Sequence, residues 1–162
     1  MAKADMYLKV EGTAQGPIKG ESRDANHTDE IEVVGWSWGL DGNATAFGSA
    51  AARTTMQELV VRKRVDSAST GLMSALRSNE VIKKATLAVH KAGGAASIPY
   101  LTITAEKARI LSHRLRNETD GAPELIEEIR IAFFKVKVEY RAQDLAGAAK
   151  GVNTFENEVQ AG

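Results

Sequence analysis

Three histidines are the side chains of this 162-residue chain best suited to bind a metal or accept a proton. They are His27, His90 and His113, and none has a second His or Cys at the short spacing of a zinc site. Glu30 follows His27 closely and could orient it as a base, but no Gly-x-Ser-x-Gly motif supplies a nucleophile. We therefore expect no metal, no catalytic residue and no enzymatic activity, with His27 hydrogen-bonded within a turn.

The chain contains no cysteine, which excludes disulfides, thiolate metal sites and thiol nucleophiles. Its glycines form no phosphate-binding motif, because no Gly-x-x-x-x-Gly-Lys sequence occurs. Gly35, Gly39 and Gly42 also lack the spacing of a dinucleotide-binding loop. We expect no cofactor.

The charges balance, with 21 Lys and Arg against 21 Asp and Glu. A neutral chain is a poor general nucleic-acid binder, because such binding needs basic side chains that displace counterions. The short basic run Arg62–Arg64 lies on a predicted strand, where alternation sends Lys63 to one face and its neighbours to the other. We expect no nucleic-acid partner, whereas an uncharged surface permits self-association.

The N-terminal residues contain no apolar segment of the kind found in signal peptides. The longest uncharged stretch, residues 92–105, is too short to span a bilayer as a helix. We therefore expect a protein made in the cytoplasm, without a membrane span.

Apolar side chains recur mostly with a period of two, which predicts strands. In two strands the apolar face switches partway, near Val33–Gly35 and between Phe133 and Phe134. Such switches favour bulges or bends in a curved sheet. We predict one mainly β domain over residues 1–162, a small barrel of two curved antiparallel sheets.

Three segments depart from this alternation. Ser67–Asn79 has apolar residues at helical spacing and predicts one short helix beside the barrel, capped by Ser67 or Ser69. Gly93 and Gly94 predict a hairpin turn. A long loop over 40–55 and a C-terminal tail over 143–162 show no clear period, and loops of such length are commonly functional.

Basic residues cluster in Lys107–Arg116 and acidic residues in Glu118–Glu128. One interpretation is a solvated hairpin whose opposed strands carry opposite charge. The other is a pair of complementary surfaces that meet between copies, since such contacts generate rings or filaments. Trp36 and Trp38 share one strand face, which is more typical of core packing than of a binding site.

Several blocks, in order, resemble the haemolysin-coregulated protein (Hcp) family. The blocks are Asp5–Gly12, Lys19–Ser22, Glu30–Gly39 with its Val-Val-Gly-Trp-Ser-Trp-Gly sequence, Ala85–Gly94, Tyr100–Ala105 and Ile129–Tyr140. The resemblance covers essentially the whole chain. Two segments depart from it: Gly42–Thr55 is rich in alanine rather than in Gly and Ser, and Gly151–Phe155 replaces a Gly-Trp-Asn-like element.

The resemblance implies a structural subunit without catalytic residues. Its copies would form homo-hexameric rings that stack into the inner tube of a bacterial type VI secretion system. The implied partners are a contractile sheath, a trimeric spike protein and effector proteins in the channel, and the tube would leave the cell. Phage tail-tube subunits have a similar barrel, so a phage or phage-derived tail-tube protein stays an alternative.

The resemblance also suggests where assembly contacts lie. The loop over 40–55 is the candidate for stacking rings, with Phe47 either anchored in a neighbouring ring or folded under its own loop. Ser37, which points away from the two tryptophans, and Glu118 are candidates for the channel wall. The stacking candidates are Asp41, Asn43, Phe47 and Arg53, and the core and family block comprises Trp36, Trp38, Gly39, Gly93 and Gly94.

Overall fold

A computed structural model describes residues 5–42, 54–91, 98–118, 124–143 and 149–158 of the chain. The described part contains ten strands and one helix. They are β1 (Met6–Gly12), β2 (Gly16–Ile18), β3 (Ile31–Ser37), β4 (Leu40–Gly42), β5 (Thr54–Met56), β6 (Leu59–Arg64), α1 (Ser69–Arg77), β7 (Ile82–Val89), β8 (Leu101–Glu118), β9 (Glu124–Gln143) and β10 (Ala149–Glu158).

Six strands close into a barrel in the order β9, β6, β3, β1, β7, β8 and back to β9. Every pairing between neighbours is antiparallel. β2 pairs with β1, β10 extends the sheet beside β9, and β4 with β5 forms a separate two-stranded ribbon. The prediction of a mainly β barrel with one short helix is confirmed.

The barrel encloses one apolar core to which the helix contributes. Leu72 and Ala75 on α1 are buried against it, as the helical spacing predicts. The predicted serine cap is wrong: Ala68 occupies the cap position and makes no side-chain cap bond. The fully buried large apolar residues of this core include Leu8, Ile31, Leu59, Val61, Leu72, Ile82, Leu87, Ile103, Ile129, Ile131 and Val136.

The face switches have a visible structural cause. The β3–β6 register shifts between Val33 and Gly35, which confirms the predicted bulge. In β9, Ile131 and Val136 are both fully buried although they are five positions apart, so this strand also changes face. Its partner β8 changes face at the same level, because Ala105 and Ala108 are both buried and Lys107 between them has a positive φ of 49°.

Two segments expected to lack regular structure contain strands. The expected loop over 40–55 starts in β4 and ends in β5, and residues 43–53 lie outside the described part. The expected tail contains β10, which pairs with β9 from Gln143 to Lys135. The hairpin glycines Gly93 and Gly94 lie outside the described residues, although β7 and β8 do pair as the hairpin requires. No helix in the described segments is long and apolar enough to cross a membrane.

Candidate assembly surfaces

Strand β9 pairs with two different strands along one of its edges. Its first half, Ile126–Ile131, pairs with β6 and closes the barrel, and its second half pairs with β10. Its other edge pairs with β8 from Glu124 to Tyr140. β10 therefore projects beyond the closed barrel, and its outer edge pairs with no other strand within the described segments.

This β9–β10 extension is apolar on one face. Phe155 lies opposite Val138, and Tyr140 lies opposite Asn153, so both aromatic rings emerge on the same side. Phe155 is 40% exposed and Tyr140 is 46% exposed. The ring of Tyr140 meets that of Tyr100 edge-on, with 6.5 Å between ring centroids. Large apolar side chains at an uncovered strand edge are typical of a contact surface.

The opposite face of the extension is charged. Lys135 Nζ lies 3.0 Å from Glu156 Oε1 and 3.7 Å from Glu106 Oε2, which links β10, β9 and β8. The hydrogen bond to Glu156 raises the pKa of Lys135 above its usual range and lowers the pKa of Glu156. These pairs are exposed, so they orient β10 more than they stabilise it.

A second surface is the outward face of β3, β6, β9 and β8, which we call the arginine face. Ser37 lies opposite Val60 of β6, which in turn lies opposite Arg130 of β9. Glu118 forms ion pairs with Arg62 and with Arg116. The structure therefore brings the two channel-wall candidates onto one face, whose arginines are Arg62, Arg64, Arg114, Arg116 and Arg130.

Lys63 lies on the other side of the same wall and is fully buried. Its Nζ is 2.8 Å from Glu127 Oε2, 2.8 Å from Asp66 Oδ1 and 3.2 Å from Ser69 Oγ. The fully buried Glu127 also lies 2.8 Å from His113 Nε2. We call these five residues, Lys63, Asp66, Ser69, His113 and Glu127, the Lys63 cluster. His113 and Glu127 from the two charged stretches therefore find partners within the chain, as the hairpin interpretation expects.

The comparisons with known proteins point to one family. Residues 7–140 match the family described as "Type VI secretion system effector, Hcp". The chain is 33% identical over 150 residues to "Protein hcp1" of Pseudomonas aeruginosa, covering 91% of this chain and 89% of that protein. The chain belongs to the Hcp family.

Solved structures of similar proteins agree. A type six secretion system protein superposes with a TM-score of 0.84 at 25% identity, covering 96% of each chain. A type VI secretion system effector from Yersinia pestis superposes with a TM-score of 0.71 at 28% identity, covering 96% of this chain and all of that one. The resemblance stated from the sequence is thereby confirmed.

The other predicted residues of this Hcp-family chain are placed as follows. Trp36 and Trp38 are half-buried and pack against the core, with Trp38 6.5 Å from the ring of Phe133. Asp41 is exposed in β4, where its carboxylate accepts a hydrogen bond from the Gln57 amide. Gly39 offers its carbonyl to Gln57 N at 3.0 Å. Asn43, Phe47 and Arg53, like Gly93 and Gly94, lie outside the described residues.

The histidines are less solvated than their sequence positions indicate. His27 Nδ1 lies 3.0 Å from Glu30 Oε1, which is the local bond expected in the turn. Its Nε2 lies 2.8 Å from His90 Nε2, a contact between residues 63 positions apart. The pairing of β1 with both β3 and β7 brings them together, because each histidine flanks one of those strands. Only the strand order could have revealed this contact.

The sequence analysis also missed strand β10, because Val152 and Phe155 do not alternate regularly.

Proposed function

We propose that this Hcp-family chain is a tube subunit of a bacterial type VI secretion system. Its copies join side by side into a hexameric ring, and the rings stack into a tube that a contractile sheath expels. A trimeric spike caps the tube and effector proteins travel in its channel. The subunit is made in the cytoplasm and exported, and its work consists of assembly rather than bond making.

The observation that carries this proposal is the open outer edge of β10. An edge strand presents unpaired N–H and C=O groups that another chain can bond, and proteins normally shorten, charge or cover such edges. β10 is ten residues long, carries Phe155 and pairs with β9 beside Tyr140. A second copy docked there would satisfy the backbone groups and bury the aromatic rings, and a closed ring repeats that contact until no edge is left.

The arginine face is our proposal for the channel wall. Ser37 and Glu118 share this face, and its arginines alternate with Glu118, Glu124 and Glu128. A channel wall that carries both positive and negative side chains can contact polar protein surfaces without attracting only one sign of charge. Ser37→Trp should therefore leave the rings intact and reduce the amount of effector recovered with them. Dissociation of the rings would instead assign Ser37 to packing.

The segment over 40–55 is our proposal for the contact between stacked rings. Its described ends form the β4–β5 ribbon, which pairs with no strand of the barrel. Exposed Asp41 lies on this ribbon, and Asn43, Phe47 and Arg53 follow within the same segment. Deleting residues 42–52 should leave rings and abolish long tubes, whereas long tubes from that variant would contradict the stacking role.

Sedimentation velocity with negative-stain electron microscopy tests the ring contact. The wild-type chain should sediment as a hexamer and show rings, while Phe155→Glu should sediment as a folded monomer. Val65→Glu is the matched control, because Val65 is 39% exposed and lies outside β10. A wild-type monomer at high concentration would contradict the assembly, and rings in Phe155→Glu would contradict the role of the β10 edge.

A further inference from the structure

The barrel closes through a short seam between β1 and β3. Within the described residues these two strands pair at Tyr7–Glu32 and at Leu8–Ile31 alone, whereas β1 pairs with β7 from Met6 to Gly12. The ring of His27 covers this seam, because it stacks on Tyr7 with ring centroids 4.3 Å apart and planes 9° from parallel. His27 lies in the turn before β3 and is only 8% exposed. The contacts that hold His27 therefore also support the seam.

His27 makes one hydrogen bond through each nitrogen of its ring. Glu30 Oε1 lies 3.0 Å from Nδ1, and a carboxylate only accepts hydrogen bonds, so we assign a proton to Nδ1. Nε2 of neutral His27 is then an acceptor, and the N–H of His90 Nε2 donates to it at 2.8 Å between nitrogens. His90 directly follows β7, and its backbone N–H donates to the carbonyl oxygen of Asp5 at 2.8 Å. The N–H···N bond thus ties the turn before β3 to the end of β7.

This bond has room for one hydrogen and not for two. Because Nδ1 of His27 already carries a proton, the next proton on this ring goes to Nε2, where it meets the N–H of His90. Two N–H groups that face each other make no hydrogen bond, and a gap of 2.8 Å holds no acceptor between them. Histidine side chains commonly change charge between about pH 5 and 8. Mild acid therefore turns this contact from an attraction into a repulsion.

The groups around the pair do not replace the lost bond. Burial and the carboxylate of Asp24 raise the pKa of Tyr7 to about 12, so the ring beneath His27 stays neutral throughout. The other charged groups near the pair lie in the turn, in β1 and the residue before it, in β3 and in β7, and they carry both signs. They are Asp5, Lys9, Glu11, Asp24, Glu30, Glu32 and Lys84.

We propose that the His27–His90 hydrogen bond is an acid-sensitive latch on the β1–β3 seam. The latch is closed while one hydrogen lies between the two Nε2 atoms, and it opens when each nitrogen carries its own. Its contribution to stability is present at neutral pH and is lost as the pH falls. Opening is local, because the long pairing of β8 with β9 from Leu101 to Glu118 does not depend on either histidine.

Amide hydrogen exchange of the full chain, followed by mass spectrometry at about pH 7.5 and about pH 5, tests the latch. The informative amides are those of Asp29 and Glu30, which donate to the carbonyl oxygens of Ser22 and His27. After correction for intrinsic rates, their protection should fall by at least about tenfold in acid, the effect of one unit of differential proton affinity. Peptides from β8 and β9 should keep their protection.

Two histidine variants separate the latch from general acid effects. His90→Asn removes the donor, so the same amides should be weakly protected at both pH values. His113→Asn is the matched control, since it removes a histidine elsewhere and should respond to acid as the wild type does. An equal loss of protection in acid by folded His90→Asn and by the wild type would overturn the proposal.

A measurement on the wild-type chain guards against a variant that fails to fold. Exchange of the imidazole C2 hydrogens reports the protonation of each histidine, and the loss of amide protection should follow protonation of His27. Protection that persists once His27 is protonated would overturn the latch, because the hydrogen of His90 would then have moved to its other nitrogen. A loss that follows only the carboxylates, below about pH 4.5, would overturn it as well. All these readouts lie outside β10, so the result is independent of the proposed function.

Discussion

The Lys63 cluster and the β9–β10 extension belong to the same sheet and differ in how their costly groups are satisfied. The cluster buries charged side chains, and the extension exposes a strand edge and aromatic rings. Within the cluster, the ammonium of Lys63 finds three acceptors and both carboxylate oxygens of Glu127 have partners, all inside one chain. In the extension, the outer edge of β10 and the rings of Phe155 and Tyr140 find no such cover in the described chain.

The difference separates what the monomer needs from what the assembly needs. Removing one partner of a buried ion pair leaves an uncompensated buried charge, which is strongly destabilising. The Lys63 cluster therefore contributes to the stability of the monomer itself. An exposed edge costs the monomer little and gains free energy only when a second copy covers it. Substitutions in the cluster should therefore act on folding, and substitutions in the extension should act on association.

The largest effect should follow from breaking the buried pair. Lys63→Met leaves the carboxylate of Glu127 fully buried without its cation, which should lower the free energy of unfolding by about 3–5 kcal/mol. Urea denaturation in the Phe155→Glu background measures this without a contribution from the ring. The double variant Lys63→Met/Glu127→Leu should recover more than half of the loss. A double variant as unstable as the single one would show that the pair is not the cause.

Gly20 and Gly151 offer a matched test of packing, because Gly20 lies against Asp66 of the Lys63 cluster and Gly151 lies in β10. A Cβ at Gly20 would lie 2.6 Å from the carbonyl oxygen of Glu30 and 3.0 Å from Asp66 Oδ2, while a Cβ at Gly151 in β10 meets nothing within 4 Å. Gly20→Ala should lower the free energy of unfolding by about 1–3 kcal/mol, because backbone cannot move aside cheaply. Gly151→Ala should leave monomer stability unchanged.

Thermal melts of both alanine variants in the Phe155→Glu background measure the difference. In the chain without Phe155→Glu, Gly151→Ala then tests the proposed assembly alone. Weaker hexamers would indicate that a neighbouring backbone approaches β10 closely at this position. Equal melting temperatures for the two variants would contradict the contrast between the regions.

The sequence predicts the barrel better than it predicts either of these regions. Alternation revealed most barrel strands and the bulge beside Gly35, because one face of each strand is buried by the chain itself. It could not reveal β10, since both faces of that strand are exposed in the monomer, so its fold requires no alternation of apolar and polar side chains. It could not reveal the Lys63 cluster either, because a lysine on a strand ordinarily predicts solvent.

The smallest effect should be a difference in acid sensitivity between two glutamates. Burial alone would raise the pKa of Glu80, but hydrogen bonds donated by Gln15 and by the backbone of Ala14 outweigh it and lower the pKa. A lowered folded-state pKa means stability that is present at neutral pH and lost as the pH falls through that pKa. Glu156 in β10 also has a lowered pKa, but its partner Lys135 is exposed and solvent screens the pair.

Urea denaturation across the acid range, again in the Phe155→Glu background, separates the two glutamates. Glu80→Gln should cost about 1 kcal/mol at neutral pH, the value of a typical hydrogen bond, and should flatten the loss of stability in acid. Glu156→Gln should leave the monomer's acid profile unchanged. A flattened profile in Glu156→Gln would mean that β10 already stabilises the monomer, and the division between folding in the barrel and association at β10 would then fail.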